Sequence, residues 1–255
     1  MSKAGAFALV LALASFEGKA VTTFVDSTFN LTDYIASSYQ YDLYSPNFAN
    51  GTTQYSQTLT EGNPGKALQV DTVAQSAGAF IASSYFVNKT FSYDPSVSGA
   101  ILTIDVRADL AKTFVTQQYT NPLVQLGLFL LAEQNGKYYA GTSVAFTGVA
   151  QGQFKTLSEF YNPVSLGFMR EVVDFATLGE NAFSTLNPSS GVIHFGIVVS
   201  NYLGGVQGFS TTDFVDNLSI TVTPVPEVPT GGLMLVGGAV IAWVSRVRMR
   251  TNGRA

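Results

Sequence analysis

The chemistry open to this chain is limited first by the side chains it lacks. Cysteine is absent and histidine occurs once, at His194, which excludes disulfide frameworks, thiolate zinc sites, cysteine nucleophiles and multi-histidine metal centres. A Ser-His-Asp triad would have to use His194, yet the chain has no Gly-x-Ser-x-Gly elbow, and a histidine in mid-strand reads as structural. Glycosidase chemistry needs two carboxyls about 5–10 Å apart. Asp105 and Asp109 stand four residues apart in one strand pattern, roughly 13 Å, and Arg107 between them makes a solvated charge ladder. Glu171 with Asp174 is the other close pair. The stretch Gly62-Asn63-Pro64-Gly65-Lys66-Ala67 has the wrong glycine spacing for a phosphate loop, and Ala67 lacks the hydroxyl that would bind magnesium. It reads as a turn. The chain is therefore read as a non-enzyme.

Asp216 calls for a separate account. Strand parity groups it with Phe214 and Leu218 on the inner side of the last strand, and a carboxylate buried there requires either backbone N–H partners or a cation.

The elements that must position these groups are strands. In Leu102-Thr103-Ile104-Asp105-Val106-Arg107-Ala108-Asp109 every second residue is apolar, which predicts a core face of Leu102, Ile104, Val106 and Ala108. Val124–Glu133, the dipeptide Asn135-Gly136 and Tyr138–Phe146 predict a hairpin, because Asn-Gly supplies the two positive φ angles of a type I′ turn. Val192–Ser200 sends Ile193, Phe195, Ile197 and Val199 one way and His194 and Gly196 the other, and Phe214, Leu218, Ile220 and Val222 form the inner face of the last strand. With Val21–Val25, Gln54–Leu59, Ala67–Val73 and Gly78–Val87, about nine to eleven strands are expected. Two packed antiparallel sheets, an all-β jelly-roll sandwich, are the economical arrangement.

Composition agrees with an exported β-rich body. Of 255 residues 46% are hydrophobic and 12% charged, with 24 Gly, 19 Phe and 12 Tyr. From Val21 to Pro229 there are 7 Lys/Arg against 16 Asp/Glu, a net of −9, so nucleic acid is not a partner. Sugars stack on aromatic faces. The single tryptophan, Trp243, lies near the C-terminus, which leaves tyrosines: Tyr34, Tyr39, Tyr41 and Tyr44, and the pair Tyr138-Tyr139. The favoured reading of these is as ordinary sheet residues with wet hydroxyls.

Both ends read as targeting segments. Ala4–Phe16 is uncharged and follows Lys3, the pattern of a signal-peptide apolar region, and Gly18-Lys19-Ala20 offers a cleavage site that makes 1–20 the removed segment. At the other end Pro224–Thr230 is a proline-rich spacer, followed by the uncharged run Gly231–Val244 and then Arg246, Arg248, Arg250 and Arg254. A helix over 230–245 would be about 24 Å long, near the roughly 30 Å of a bilayer core. The arginines place the C-terminus in the cytoplasm. The expected organisation is a signal peptide (1–20), a sandwich (21–223), a spacer (224–230), a single transmembrane helix (231–245) and a basic cytoplasmic tail (246–255).

The order Val-Pro-Glu, short apolar helix with paired glycines, terminal arginine cluster resembles the PEP-CTERM sorting signal of Gram-negative bacteria. Pro226 and Glu227 match the first two motif positions, and Val228 stands where that family has proline. The resemblance implies a membrane-embedded exosortase as processing partner, with Pro226, Glu227, Arg246, Arg248 and Arg250 as the signal. It implies an inner-membrane intermediate and then the cell surface or extracellular matrix. A single-span anchor that is never cut is the alternative, and a glycan hydrolase a lesser one. The body, through Phe91-Ser92-Tyr93-Asp94-Pro95, Phe195-Gly196 and Asp216-Asn217-Leu218-Ser219-Ile220, resembles exported proteins with such tails and implies a concanavalin-like or laminin-G-like sandwich. Exopolysaccharide is the ligand class this suggests. In sandwich modules similar to this one a structural calcium ion ties the last strand to the first, which makes Asp26 and Asp216 the candidate ligands; a hydrogen-bonded corner is the competing expectation, and no other cofactor is expected.

Overall fold

Alternating apolar residues need two sheets, each with one face to bury, and two sheets form. The structure, a computed structural model, describes residues 19–42, 51–63, 65–74, 78–114, 123–141, 152–166, 169–172, 185–206 and 209–226. The predicted signal peptide up to residue 18, Glu227, the apolar run and the arginines lie outside the described residues, as do Tyr44 and Asp174. Ala20–Pro224 is one compact unit.

The described strands are β1 (Thr22–Asp26), β2 (Tyr34–Asp42), β3 (Gly51–Gly62), β4 (Gly65–Ala74), β5 (Gly78–Tyr93), β6 (Ile101–Phe114), β7 (Leu123–Gln134), β8 (Lys137–Ala140), β9 (Lys155–Tyr161), β10 (Arg170–Val172), β11 (Ile193–Val206) and β12 (Phe209–Pro224). One sheet runs β3-β4-β12-β6-β9, with β1 also on β12; the other runs β10-β8-β7-β11-β5-β2. Every pairing is antiparallel. The expected antiparallel sandwich is what forms. Its core brings Ile104, Val106, Ala108, Leu110, Val215, Leu218, Ile220 and Val222 of the first sheet against Leu126, Leu128, Leu130, Ile193, Phe195, Ile197 and Val199 of the second.

The Asn-Gly hairpin is present. Asn135 and Gly136 take φ of 57° and 77°, and β7 and β8 pair from Gln134↔Lys137 to Leu131↔Ala140. Gly196 marks a second local requirement. β11 shifts register against β5 between His194 and Gly196, and a Cβ on Gly196 would stand 1.9 Å from the Phe86 carbonyl oxygen. No side chain fits there.

Two parity expectations are corrected. On β6, Ile101 is buried and Leu102 only half-buried, because the ladder to β12 is irregular between Thr223 and Pro224, opposite this end. On β12, Thr211, Asp213 and Val215 are the inward residues, and Phe214 lies on the outer side. A bulge is the cause. Asp216 pairs with Asp109 and Ser219 with Arg107, so Asn217 and Leu218 together oppose Ala108 and the strand changes parity at this point. Asn217 absorbs the kink at φ 50°, a conformation asparagine tolerates better than most residues.

Candidate functional site

Asp26 and Asp216 sit at the corner where β1 ends beside that bulge: Asp26 pairs with Leu218. The oxygens of Asp26 are met by four donors. Its Oδ1 accepts the Thr28 N–H at 2.7 Å, the Thr28 hydroxyl at 3.0 Å and the Phe29 N–H at 2.8 Å, and Oδ2 accepts the Tyr34 hydroxyl at 2.7 Å. Partial burial acts to raise its pKa, but these hydrogen bonds outweigh it and hold the carboxyl below the ordinary range. Burial, aided by Asp26, pushes the Tyr34 phenol well up. Asp216 is fully buried. Its Oδ2 accepts the Asn63 N–H at 2.5 Å and its Oδ1 the Asn217 N–H at 2.7 Å. Asn217 in turn donates to the Asn63 carbonyl at 2.6 Å and to Asp109 at 2.9 Å. The bulge thus grips Asn63, between β3 and β4, where Gly62 pairs with Gly65. Among the described residues no group of three or more metal-ligating side chains is found.

The carboxylates considered for catalysis are engaged elsewhere. Asp105 takes a two-point contact from Arg107, Nε to Oδ1 at 3.0 Å and Nη2 to Oδ2 at 3.1 Å. Asp109 accepts the Thr156 hydroxyl at 2.5 Å, and Glu171 pairs with Lys137 at 3.0 Å. His194 stands in register between Glu133 and Ser92, and its Nδ1 meets no hydrogen-bond partner among the described residues. A triad histidine has that nitrogen held by a carboxylate.

At one end, the outer face of the first sheet carries exposed side chains. Two adjacent rows cross four of its six described strands, β1, β12, β6 and β9, at that end: Thr23–Thr221–Asp105–Phe160 and Val25–Ser219–Arg107–Ser158. Phe160 is 59% exposed, Val25 65% and the Arg107 side chain 62%. Thr23 and Thr221 share a hydrogen bond at 3.2 Å. An aromatic ring, a guanidinium–carboxylate pair and a row of hydroxyls therefore lie on one exposed surface. Such a surface can stack an apolar sugar face and hydrogen-bond its hydroxyls. Neither the strand Lys155–Tyr161 nor Phe160 was singled out by the sequence pattern.

The outer face of the second sheet is different. Tyr85, Val87, Leu131 and Val198 are buried there and form a second apolar cluster, with Phe129, Tyr138 and Ala140 packed against it. The tyrosines divide accordingly. Tyr34 and Tyr139 join the core between the sheets, Tyr138 joins the second cluster, and Tyr39 and Tyr41 lie on β2.

A further polar group stands where core was expected. Lys112, Asp213 and Asn201 are 1%, 0% and 1% exposed. Lys112 Nζ donates to Asn201 Oδ1 at 2.7 Å and stands 3.7 Å from Asp213 Oδ1. The Asn201 amide donates to Asp213 Oδ2, and Thr211 to Asp213 Oδ1 at 3.2 Å. Burial lowers the pKa of Lys112, opposed in part by Asp213; burial raises that of Asp213, opposed by Lys112 and Asn201. The sequence carried a signal for this group, since Lys112 continues the inward series 104, 106, 108, 110, and Asn201 the series 193 to 199.

No protein-family profile matches the chain, and no curated protein matches it. Among solved structures it is similar to the family 11 carbohydrate-binding module from Clostridium thermocellum in complex with a β-1,3-1,4-mixed-linked tetrasaccharide, at 14% identity over 82% of this chain and 99% of that one, TM-score 0.41. It is also similar to the CBM22-1 xylan-binding domain from Paenibacillus barcinonensis Xyn10C, at 10% identity over 73% of this chain and 94% of that one, TM-score 0.31. These likenesses are remote.

Proposed function

We propose that this chain is an exported surface or extracellular-matrix protein whose sandwich body contacts glycans through the exposed face around Phe160 and whose tail is a PEP-CTERM-type sorting signal. The observation that carries the glycan reading is the coincidence, on one exposed four-strand surface, of Phe160 with the Arg107–Asp105 pair and the threonine and serine rows. An exposed phenyl ring on a water-facing strand gains from a partner with an apolar face, and sugar rings have one beside their hydroxyls. The acidic net charge of the body favours neutral polysaccharide over anionic ones. The tail supports the sorting reading through its order alone: Pro226-Glu227, an apolar run, then arginines.

The test is retardation of the full chain in gels containing soluble neutral polysaccharides, compared with Phe160→Ala. Retardation of the wild type that Phe160→Ala abolishes supports the reading; retardation unchanged by that substitution moves the site elsewhere, and no retardation on any polysaccharide removes it. For the tail, peptides covering Arg246–Arg254 on the mature surface protein would replace processing by a plain membrane anchor.

A further inference from the structure

We infer that Lys112 and Asn201 become joined by an intramolecular isopeptide bond that the protein forms on itself, with Asp213 carrying the proton. Three features bring this about. The first is that the reacting groups come from opposite sheets and meet between them: Lys112 and Asp213 are directly paired across β6 and β12, and Asn201 reaches in from β11. The second is enclosure, since all three are at most 1% exposed and their ladder neighbours include Val70 beside Asp213, and Leu126 and Ala82 beside Asn201. The third is proximity. An amine that hydrogen-bonds a carboxamide oxygen at 2.7 Å stands close to the roughly 3–3.5 Å near-attack range for the adjoining carbon.

The chemistry balances within these three side chains. A lysine amine is a nucleophile only when neutral, and a primary amide is a poor acyl donor unless its nitrogen leaves as ammonia. Burial favours the neutral amine at Lys112 and the neutral acid at Asp213. The Nζ lone pair attacks Asn201 Cγ and forms the new C–N bond, while the carbonyl electrons move to Oδ1. Asp213, the neutral acid, first delivers its proton to Nδ2, the nitrogen it contacts through Oδ2, and then takes one proton from Nζ, 3.7 Å from its Oδ1. The electron pair on Asn201 Oδ1 re-forms the carbonyl, the C–Nδ2 bond breaks with its pair going to nitrogen, ammonia leaves, and Asp213 is again the neutral acid. No oxidant, metal or water is consumed. In a chain without cysteine this link would tie one sheet to the other as a disulfide does elsewhere, and a surface protein under load would gain from it.

Peptide mapping of the purified full chain, digested with trypsin and a Glu-specific protease, tests the inference and is unaffected by processing at the termini. The expected product is a branched peptide joining the segments that hold Lys112 and Asn201, lighter than their sum by one ammonia, about 17 Da, with no tryptic cut after Lys112. A linear peptide ending at Lys112, together with an unmodified Asn201, overturns it. A link between Lys112 and Asp213 with loss of water instead overturns Asn201 as the acyl donor. In Asp213→Ala with a native far-UV spectrum, linear peptides are expected, and a branched one overturns the role of Asp213. Should that variant fail to fold, the wild-type map alone decides.

Discussion

The two ends of the space between the sheets are built by the same strands and work differently. Near Ile193 the interior is apolar: Phe24 stacks on Phe91 with centroids 5.3 Å apart and lies 6.1 Å from Phe195, beside Ile220 and Val222. About eight residues along β11, roughly 27 Å, the inward positions are Asn201, Asp213, Lys112, Thr211 and Thr72. The first end gains from area alone and tolerates any well-packed apolar set. At the second, partners decide the energetics, because a buried unpaired group costs more than the pair contributes; of these side chains only the Thr72 hydroxyl meets no partner among the described residues. One end therefore sets how stable the sandwich is, and the other how the sheets are aligned.

The largest effect should come from the apolar end. Phe195→Ala is expected to cost about 3–5 kcal/mol, measured as a fall in urea midpoint with an unchanged m value; a loss below about 1 kcal/mol would mean that this end repacks freely. Lys112→Met should expose the contrast through pH. Asp213 has its pKa raised above the ordinary 3.8 by burial, and removing the lysine takes away the main influence opposing that rise. A carboxyl with a raised folded pKa favours folding below 3.8 and loses that contribution as pH climbs through the folded value. Against Asn201→Ala, in which no link can form and Lys112 stays a free amine, the double variant that adds Lys112→Met should lose stability above pH 3.8 more steeply, by about 1.4 kcal/mol for each unit of added shift. Parallel pH curves would show that the polar end does not depend on the pair.

Smaller effects are expected at the corner. Asp216→Ala removes the acceptor for the Asn63 and Asn217 N–H groups and should cost about 1–3 kcal/mol, with faster amide exchange at Asn63. At Asp26 the folded pKa is depressed, so its contribution is full above the unfolded value and is lost as pH falls through the folded one. Asp26→Asn should flatten that acid limb by about 1 kcal/mol. The smallest effect on stability is predicted for Phe160→Ala, within about 0.5 kcal/mol, because the ring already faces water. A large loss would mean that the exposed face belongs to the fold and not to a ligand.

Strand period and turn chemistry are local, and both were legible. The alternation of Ile104, Val106 and Ala108, that of Ile193 to Val199, and the two positive φ angles of Asn135-Gly136 follow from residues within a few positions of one another. Tertiary structure alone decided three things. The bulge at Asn217 reversed the parity of β12, turning Phe214 outward and making Asp216 the acceptor for a turn 153 residues away. The exposure of Phe160 depended on β9 lying at the edge of its sheet. Lys112 and Asn201, 89 residues apart, met because their sheets pack face to face. Period two tells which side of a strand a residue takes, but a one-residue bulge and the partner across ten ångströms or so of sandwich are set by register between distant strands.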